Sequence, residues 1–203
     1  MAVGKVNSVG MKRRILDAAV KLFSESSFAA VSVRDIADAV GIKASSIYSH
    51  YGSKQDLLDA IYAHYEEVAD RVRPDLGELM LLAETADPFE ALARTEFHFD
   101  PDEQETMDRI VIIAAVESRW DERSEDFIMR NVVNLPKIYA EPLLKRMLEL
   151  ERIEPFDIDV FIVLMSNFCL SAALRNFSRK RMSFEEWALG YNYLLRMVAP
   201  TGK

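Results

Sequence analysis

The amino-acid sequence predicts an all-α fold. Three observations carry that prediction. Apolar residues recur three and four positions apart along most of the chain, Ser, Asp and Pro stand where helices would begin, and no alternating apolar–polar run exceeds four residues. Half of the 203 residues are apolar and 29% are charged, a globular composition.

The elements follow in order. Ile15, Leu16, Ala19, Leu22 and Phe23 recur at helical spacing and predict a first helix over about 10–26. Ser32-Val33-Arg34-Asp35 is a capping box with Asp in the acidic place, opening a short helix that ends near Val40. Gly41 then allows a tight or left-handed turn without Cβ strain. A second short helix is expected at about 44–50. Ser53-Lys54-Gln55-Asp56 caps a helix running to about Arg73, before Pro74, with Leu57, Leu58, Ile61, Tyr62, Tyr65, Val68 and Ala69 as its apolar stripe. Asp87-Pro88 and Asp100-Pro101 each pair an N-cap with Pro at the first helical position, predicting helices over 88–98 and 101–120. Weaker segments cover 124–131 and 136–150. Glu154-Pro155 opens a very apolar segment over 155–178, and the box Ser183-Phe184-Glu185-Glu186 opens the last helix, 184–198.

Composition excludes several classes. One cysteine, Cys169, rules out an intrachain disulfide framework and a multi-thiolate zinc site. The longest uninterrupted apolar runs are seven residues (Ile110 to Val116) and six (Val160 to Met165), well short of a bilayer span. Residues 1–7 hold no apolar signal core. A cytoplasmic protein is the expectation. The net charge of −8 argues at first against a nucleic-acid partner. Its distribution does not. Residues 1–54 carry eight Lys/Arg against four acids, a net +4, and residues 55–203 carry −12. Such asymmetry suggests two units with different partners.

The segment 33–54 holds the one motif with chemistry in it. Two short helices joined by a turn at Gly41 make a helix-turn-helix. Ile36, Ala37 and Val40 face inward from the first helix, Ile42 packs beneath the turn and Ile47 anchors the second. Lys43, Ala44, Ser45, Ser46, Tyr48, Ser49 and His50 remain for the exposed face, with no acid among them. A helix that enters a major groove needs small residues to approach base edges and donors for phosphates. An ordinary solvated face mixes in Glu or Asp.

Leu22-Phe23, Val33-Arg34-Asp35-Ile36-Ala37, Gly41-Ile42 and Ile47-Tyr48-Ser49-His50-Tyr51-Gly52-Ser53-Lys54-Gln55-Asp56-Leu57-Leu58 together resemble the N-terminal domain of the TetR family of transcriptional regulators. The resemblance covers about 50 residues and rests on many coincident spacings. It departs at Ser27, where the family often has Gly. A left-handed Ser there costs on the order of 1 kcal/mol. Ser32 stands for the family's usual Thr cap and is chemically equivalent.

The resemblance implies an N-terminal three-helix DNA-binding domain over 8–54, a linking helix over 54–73, and a larger helical ligand-binding and dimerisation domain over 74–200. It implies that Tyr48 and His50 contact phosphates and that Lys54 holds the backbone at a helix N-terminus. Arg34 and Lys43 would flank the groove, and Ala44, Ser45, Ser46 and Ser49 would lie toward the bases. Lys12, Arg13 and Arg14 are possible further phosphate contacts. Tyr48 has a second reading as a half-buried core aromatic, and His50 one as a cation at a helix C-terminus.

For the rest of the chain the residues supply candidates only. Phe161, Leu164, Leu174, Trp187, Tyr191 and Leu194 make the last two helices more apolar than isolated amphipathic helices need, as a four-helix dimer interface would. Phe97, Met107, Ile110, Ala114, Trp120, Phe127, Tyr139, Met165 and Phe168, with Phe99, are candidate pocket residues, and His98, Glu117, Arg119 and Asn167 candidate polar orienters. All of these residue types serve equally as core. The function implied is a ligand-responsive regulator, a repressor that binds a pseudo-palindromic operator as a homodimer and is released by a small, partly apolar organic ligand.

Two rival classes find little support in the residues. The three histidines (His50, His64, His98) form no HExxH motif or Cys/His cluster, and no P-loop or dinucleotide loop occurs, so neither an enzyme nor a metal or cofactor site is expected. His64 and Glu67 read as an exposed ion pair rather than the start of a metal site. A sensor that kept the fold but lost DNA binding would have accumulated acids over 43–50.

Overall fold

Start and stop signals written locally become helices. The computed structural model describes residues 2–96, 98–175 and 182–200. Among them α1 spans Ala2–Ser26, α2 Val33–Val40, α3 Ala44–Ile47, α4 Lys54–Ala69, α5 Leu76–Thr85, α6 Pro88–Ala93, α7 Pro101–Glu117, α8 Glu122–Ile128, α9 Leu135–Glu149, α10 Ile158–Arg175 and α11 Phe184–Leu195. A π-helical stretch, Met129–Val133, lies between α8 and α9. An isolated bridge pairs Ile153 with Pro200. The all-α expectation holds among the described residues.

Several bounds moved. The first helix begins at Ala2 rather than near 10, and the one after Asp87 stops at Ala93 rather than 98. The helix α5 is capped by the Asp75 side chain, which accepts Glu78 N–H at 2.9 Å. This helix lies beyond those the sequence predicts, where Pro74 reads only as a stop. The last residues expected of the 155–178 helix fall outside the described residues. The helix α9 runs through Pro142 although that residue has no N–H to give.

The chain divides into two compact units, one formed by the residues up to Arg71 with Phe99–Phe127, the other by Val72–His98 with the residues from Ile128 onward. In the first, α7 packs along α1, and both α2 and α4 also pack on α1. Its interior includes Ile15, Val20, Phe23, Leu57, Leu58, Ile61, Met107 and Ile110. Each such side chain contributes roughly 1.5–3 kcal/mol by leaving water. In the second unit α9 is central, flanked by α5 and α10, with α11 against α10. Leu79, Leu92, Leu143, Leu144, Met147 and Phe161 fill its core.

One correction concerns α10. Counting uninterrupted apolar runs suggested nothing long enough to cross a bilayer. Taken as a helix, Ile158–Arg175 has 18 residues of mean hydropathy 1.6, long and apolar enough by length and composition alone. Ser166 and Asn167 break the run without making the segment polar. Only part of this helix is buried in its own unit, through Phe161, Ile162 and Met165. Val160, Val163, Leu164 and Leu174 are exposed.

Candidate nucleic-acid interface

The helix-turn-helix is set by two caps and a small core. At the N-terminus of α2, Asp35 N–H donates to Ser32 Oγ at 3.2 Å, and Ser32 N–H donates back to Asp35 Oδ2 at 2.7 Å. The Ser32 hydroxyl also donates to Asp35 Oδ2 at 2.7 Å, and this bond together with that from Ser32 N–H holds the Asp35 carboxyl below its usual range. At the other end Gly41 has φ 77. Gly41 N–H reaches Asp38 O at 3.2 Å and Ile42 N–H reaches Ala37 O at 3.0 Å, the two bonds of a Schellman motif. The Gly41 backbone therefore reverses the chain and seats Ile42. Ile36 and Ala37 are fully buried and Val40 nearly so, with Ile47 of α3 also buried.

Only Ala44–Ile47 is α-helical in the second helix. Residues 48–50 continue as a turn, closed by His50 N–H on Ile47 O at 2.9 Å and by Ser49 Oγ on Ser46 O at 2.7 Å. The expected face is exposed. Lys43, Ser45, Tyr48 and Ser49 are open to solvent, as is Arg34 on α2, and Ala44, Ser46 and His50 are half-buried. Tyr48 is 55% exposed, which rules out its reading as a core aromatic. Three residues on, Tyr51 takes that place. It is 5% exposed, its hydroxyl donates to Lys12 O at 3.1 Å, and burial pushes its pKa up to about 12.

Several candidate cations are engaged within the fold. Arg14 donates to Val40 O at 3.0 Å, satisfying a carbonyl at the end of α2. Arg13 pairs with Asp17 at 2.8 Å. Lys12 Nζ lies 5.3 Å over the Tyr51 ring. Lys54 turns inward. Its ammonium donates to Phe28 O and sits 4.2 Å over the Phe28 ring, and desolvation lowers its pKa. At the same peptide, Phe28 N–H donates to Glu117 Oε1 at 3.1 Å. Glu117 is 7% exposed. One residue of the α1–α2 loop is therefore gripped through its N–H by α7 and through its C=O by α4. The α7 side chain Arg109 adds a second tie, donating to Ser24 Oγ at 2.8 Å. Sequence reasoning missed these ties, because nothing near Glu117 or Arg109 in the sequence signals a partner more than 80 positions away.

The residues proposed for a pocket are divided between the two units. Met107, Ile110, Ala114 and Phe127 belong to the first unit, where Phe127 stacks on Tyr62 at 4.6 Å. Glu117 of that unit is the Phe28 acceptor. Tyr139, Met165 and Phe168 belong to the second unit. Trp120 is 76% exposed, with Arg119 over its ring. Asn167 bonds back to Val163 O. Phe97 lies outside the described residues. Of the residues proposed for a dimer, Leu164 and Leu174 are exposed and Trp187 is half-buried, whereas Phe161, Tyr191 and Leu194 are buried in their own unit. His64 is partly buried, and its Nε2 has no hydrogen-bond partner among the described residues. Burial lowers its pKa.

The fold thus presents a capped, glycine-turned helix pair whose second helix is acid-free over residues 43–50. The family described as "Bacterial regulatory proteins, tetR family" matches residues 15–61. Over those residues the chain carries the N-terminal domain of the TetR family. The HTH-type transcriptional repressor KstR2 of Mycobacterium tuberculosis is 34% identical over 84 residues, 37% of this chain and 41% of that protein. The chain thus matches about two fifths of that relative's length. A transcriptional regulator from Saccharomonospora viridis, solved in complex with choline, aligns over 92% of this chain and 97% of its own with TM-score 0.67 at 19% identity. The KstR2 structure from M. tuberculosis covers 93% and 94% with TM-score 0.55 at 21% identity. At such identities the likeness is one of fold, and it extends past the matched helices. These relatives are transcriptional regulators, not enzymes. Among the described residues no three His, Cys, Asp or Glu side chains cluster as metal ligands.

Proposed function

We propose that this protein is a TetR-family transcriptional repressor whose α2–α3 pair reads operator DNA. The observation that carries the proposal is the solvent-facing surface of Lys43, Ser45, Tyr48 and Ser49, acid-free over residues 43–50 and joined by Arg34 of α2, on a helix pair whose inner face is packed. Small side chains at Ala44 and Ser45 permit close approach to base edges, and Tyr48, His50, Arg34 and Lys43 supply phosphate and base donors. Lys54 contributes by aiming α4 and the loop, and its ammonium serves the fold.

The dimer is proposed on the exposed apolar residues of the last two helices. Val160, Val163, Leu164 and Leu174 of α10 and Leu189 and Tyr193 of α11 are 43–75% exposed. An apolar groove of about 640 Å³ runs between the two helices, lined by Leu164, Phe168, Leu189 and Tyr193 among others. A second copy covering this face makes a four-helix bundle and accounts for the apolarity of α10 in a cytoplasmic protein. A twofold axis there sets two α3 helices about 34 Å apart, on successive major grooves. A small organic effector shifts that spacing and releases the operator. The choline-bound neighbour supports the small-ligand reading.

Selection of bound sequences from a random duplex pool tests the reading. The expected product is a pseudo-palindrome whose affinity falls steeply with salt and drops at least tenfold on Tyr48→Ala with Lys43→Gln. Binding without symmetry, or indifferent to both changes, overturns it.

A further inference from the structure

The connection between α1 and α2, Ser27 to Ser32, has little backbone structure of its own. It opens on Ser27 at φ 105, a conformation that strains a residue with a Cβ. Its internal hydrogen bonds are long. Val31 N–H meets Ser27 O at 3.4 Å, and Ala30 N–H meets Ser27 Oγ at 3.4 Å. The Phe28 backbone groups bond instead to side chains of two other helices. Its N–H donates to Glu117 of α7 at 3.1 Å, and its C=O accepts from the Lys54 ammonium of α4. Phe28 is half-buried, its ring edge-on to Phe23 at 5.2 Å. Loss of either partner would leave a peptide group there poorly solvated.

The same α7 holds the other side of Ser27. Arg109 reaches Ser24 Oγ at 2.8 Å and Glu25 at 3.3 Å. The strained residue therefore lies between two attachments to one helix, all within one compact unit. Glu117 is buried, and it attracts the Lys54 ammonium. A carboxylate is a costly side chain to bury, and this one is spent on a single N–H and a single cation. The consequence falls on α2, which begins directly after Ser32 and packs on α1 and α3. Where the loop lies sets where α2 starts, and α2 aims α3. A recognition surface tolerates displacements of only about 0.5 Å before its contacts degrade.

We infer that Glu117 and Arg109 of α7 are positioning residues for operator reading, which fix the Phe28 peptide and the end of α1, and through them the entry of α2, without touching DNA. This rests on the operator-binding reading for its functional meaning. It makes α7 a working part of the DNA-reading unit, although it lies far from the helix-turn-helix in sequence.

The test has two arms on the full chain, with Glu117→Ala, Glu117→Gln, Arg109→Ala and Ile113→Val. Ile113 is buried on the same helix but makes neither tie, so its variant measures lost stability alone. The first arm, without DNA, follows hydrogen exchange. Amides over 28–40 should exchange at least about fivefold faster in Glu117→Ala, relative to those over 57–61 of α4. Glu117→Gln keeps an acceptor and should stay within about twofold of the parent. The second arm compares affinity for the operator selected from the random pool with affinity for a scrambled duplex, well below each variant's thermal midpoint. Glu117→Ala should lose at least about tenfold on the operator and less than about threefold on the scrambled duplex. Its salt dependence on the scrambled duplex should not change, because no cation has left the DNA. Arg109→Ala should show the same preference for operator loss at about threefold, and it decides the matter if Glu117→Ala does not fold. Exchange that rises no more over 28–40 than over 57–61 overturns the inference. So do equal losses on both duplexes, or an operator loss in Ile113→Val as large as that in Glu117→Ala. A parent that selects no operator ends the operator-binding reading and leaves the exchange arm to judge the clamp by itself.

Discussion

At the scale of single residues, strain and unmatched charge give the sharpest expectations. Ser27 has φ 105, the conformation anticipated from the absence of the family's usual glycine. Its backbone N–H still bonds Phe23 O at 3.0 Å, so the geometry is imposed by the end of α1. Ser27→Gly should therefore stabilise the protein by about 1 kcal/mol, seen as a raised thermal midpoint; an unchanged or lowered midpoint contradicts the assignment of strain. Glu117→Ala should destabilise by about 1–3 kcal/mol because it strands the Phe28 N–H, while Glu117→Gln keeps an acceptor and should cost less. Glu96 gives a pH dependence of defined sign. Burial pushes its carboxyl up to about 7 from the ordinary 4.5, so the native state binds the extra proton. Its contribution is fully favourable below pH 4.5 and is lost as pH rises through about 7. Urea denaturation at intermediate and higher pH should show that decline in the parent and its absence in Glu96→Gln.

At the scale of elements, capping explains most of what was legible beforehand. The Ser32 and Ser183 boxes, the Gly41 turn and the Asp87-Pro88 start are each complete within a few residues, so their geometry needs no distant partner. Helix ends were less legible, as at Ala93 and Glu117, because neither is marked by Gly or Pro. Ser32→Ala should cost about 1 kcal/mol, and Gly41→Ala a similar amount through its positive φ. Because α2 aims α3, both changes should weaken operator binding more than their stability cost alone requires. Anisotropy with labelled duplex, compared with chemical denaturation of the same variants, measures the two separately. The same pairing of elements decided the fate of the tyrosines. Tyr48 and Tyr51 are nearly adjacent in sequence, yet only the turn after α3 determines that the first faces solvent and the second packs against α1.

At the scale of the whole molecule, charge and apolar surface act together. The +4 of residues 1–54 and the −12 of the remainder make a basic reading head on an acidic chain. Operator affinity should therefore fall linearly with the logarithm of salt concentration, and neutralising Lys43 should reduce the slope by about one ion. Leu189→Glu with Val163→Glu should convert the proposed dimer to monomer in sedimentation velocity and abolish binding to a two-half-site operator. Persistence of the dimer would move the interface elsewhere.

By itself the sequence determined the all-helical class, the helix-turn-helix and its acid-free face, because periodicity, caps and a glycine turn are encoded within a few residues of where they act. Tertiary structure alone decided how the long-range groups are used. It turned Lys54 and Arg14 inward to backbone carbonyls, gave Phe28 to Glu117, and buried Phe161, Tyr191 and Leu194 while exposing Val163, Leu189 and Tyr193. The physical reason is the same in each case. An apolar or charged side chain has a fixed chemistry, but whether it serves core, interface or ligand depends on which distant surface the fold brings against it.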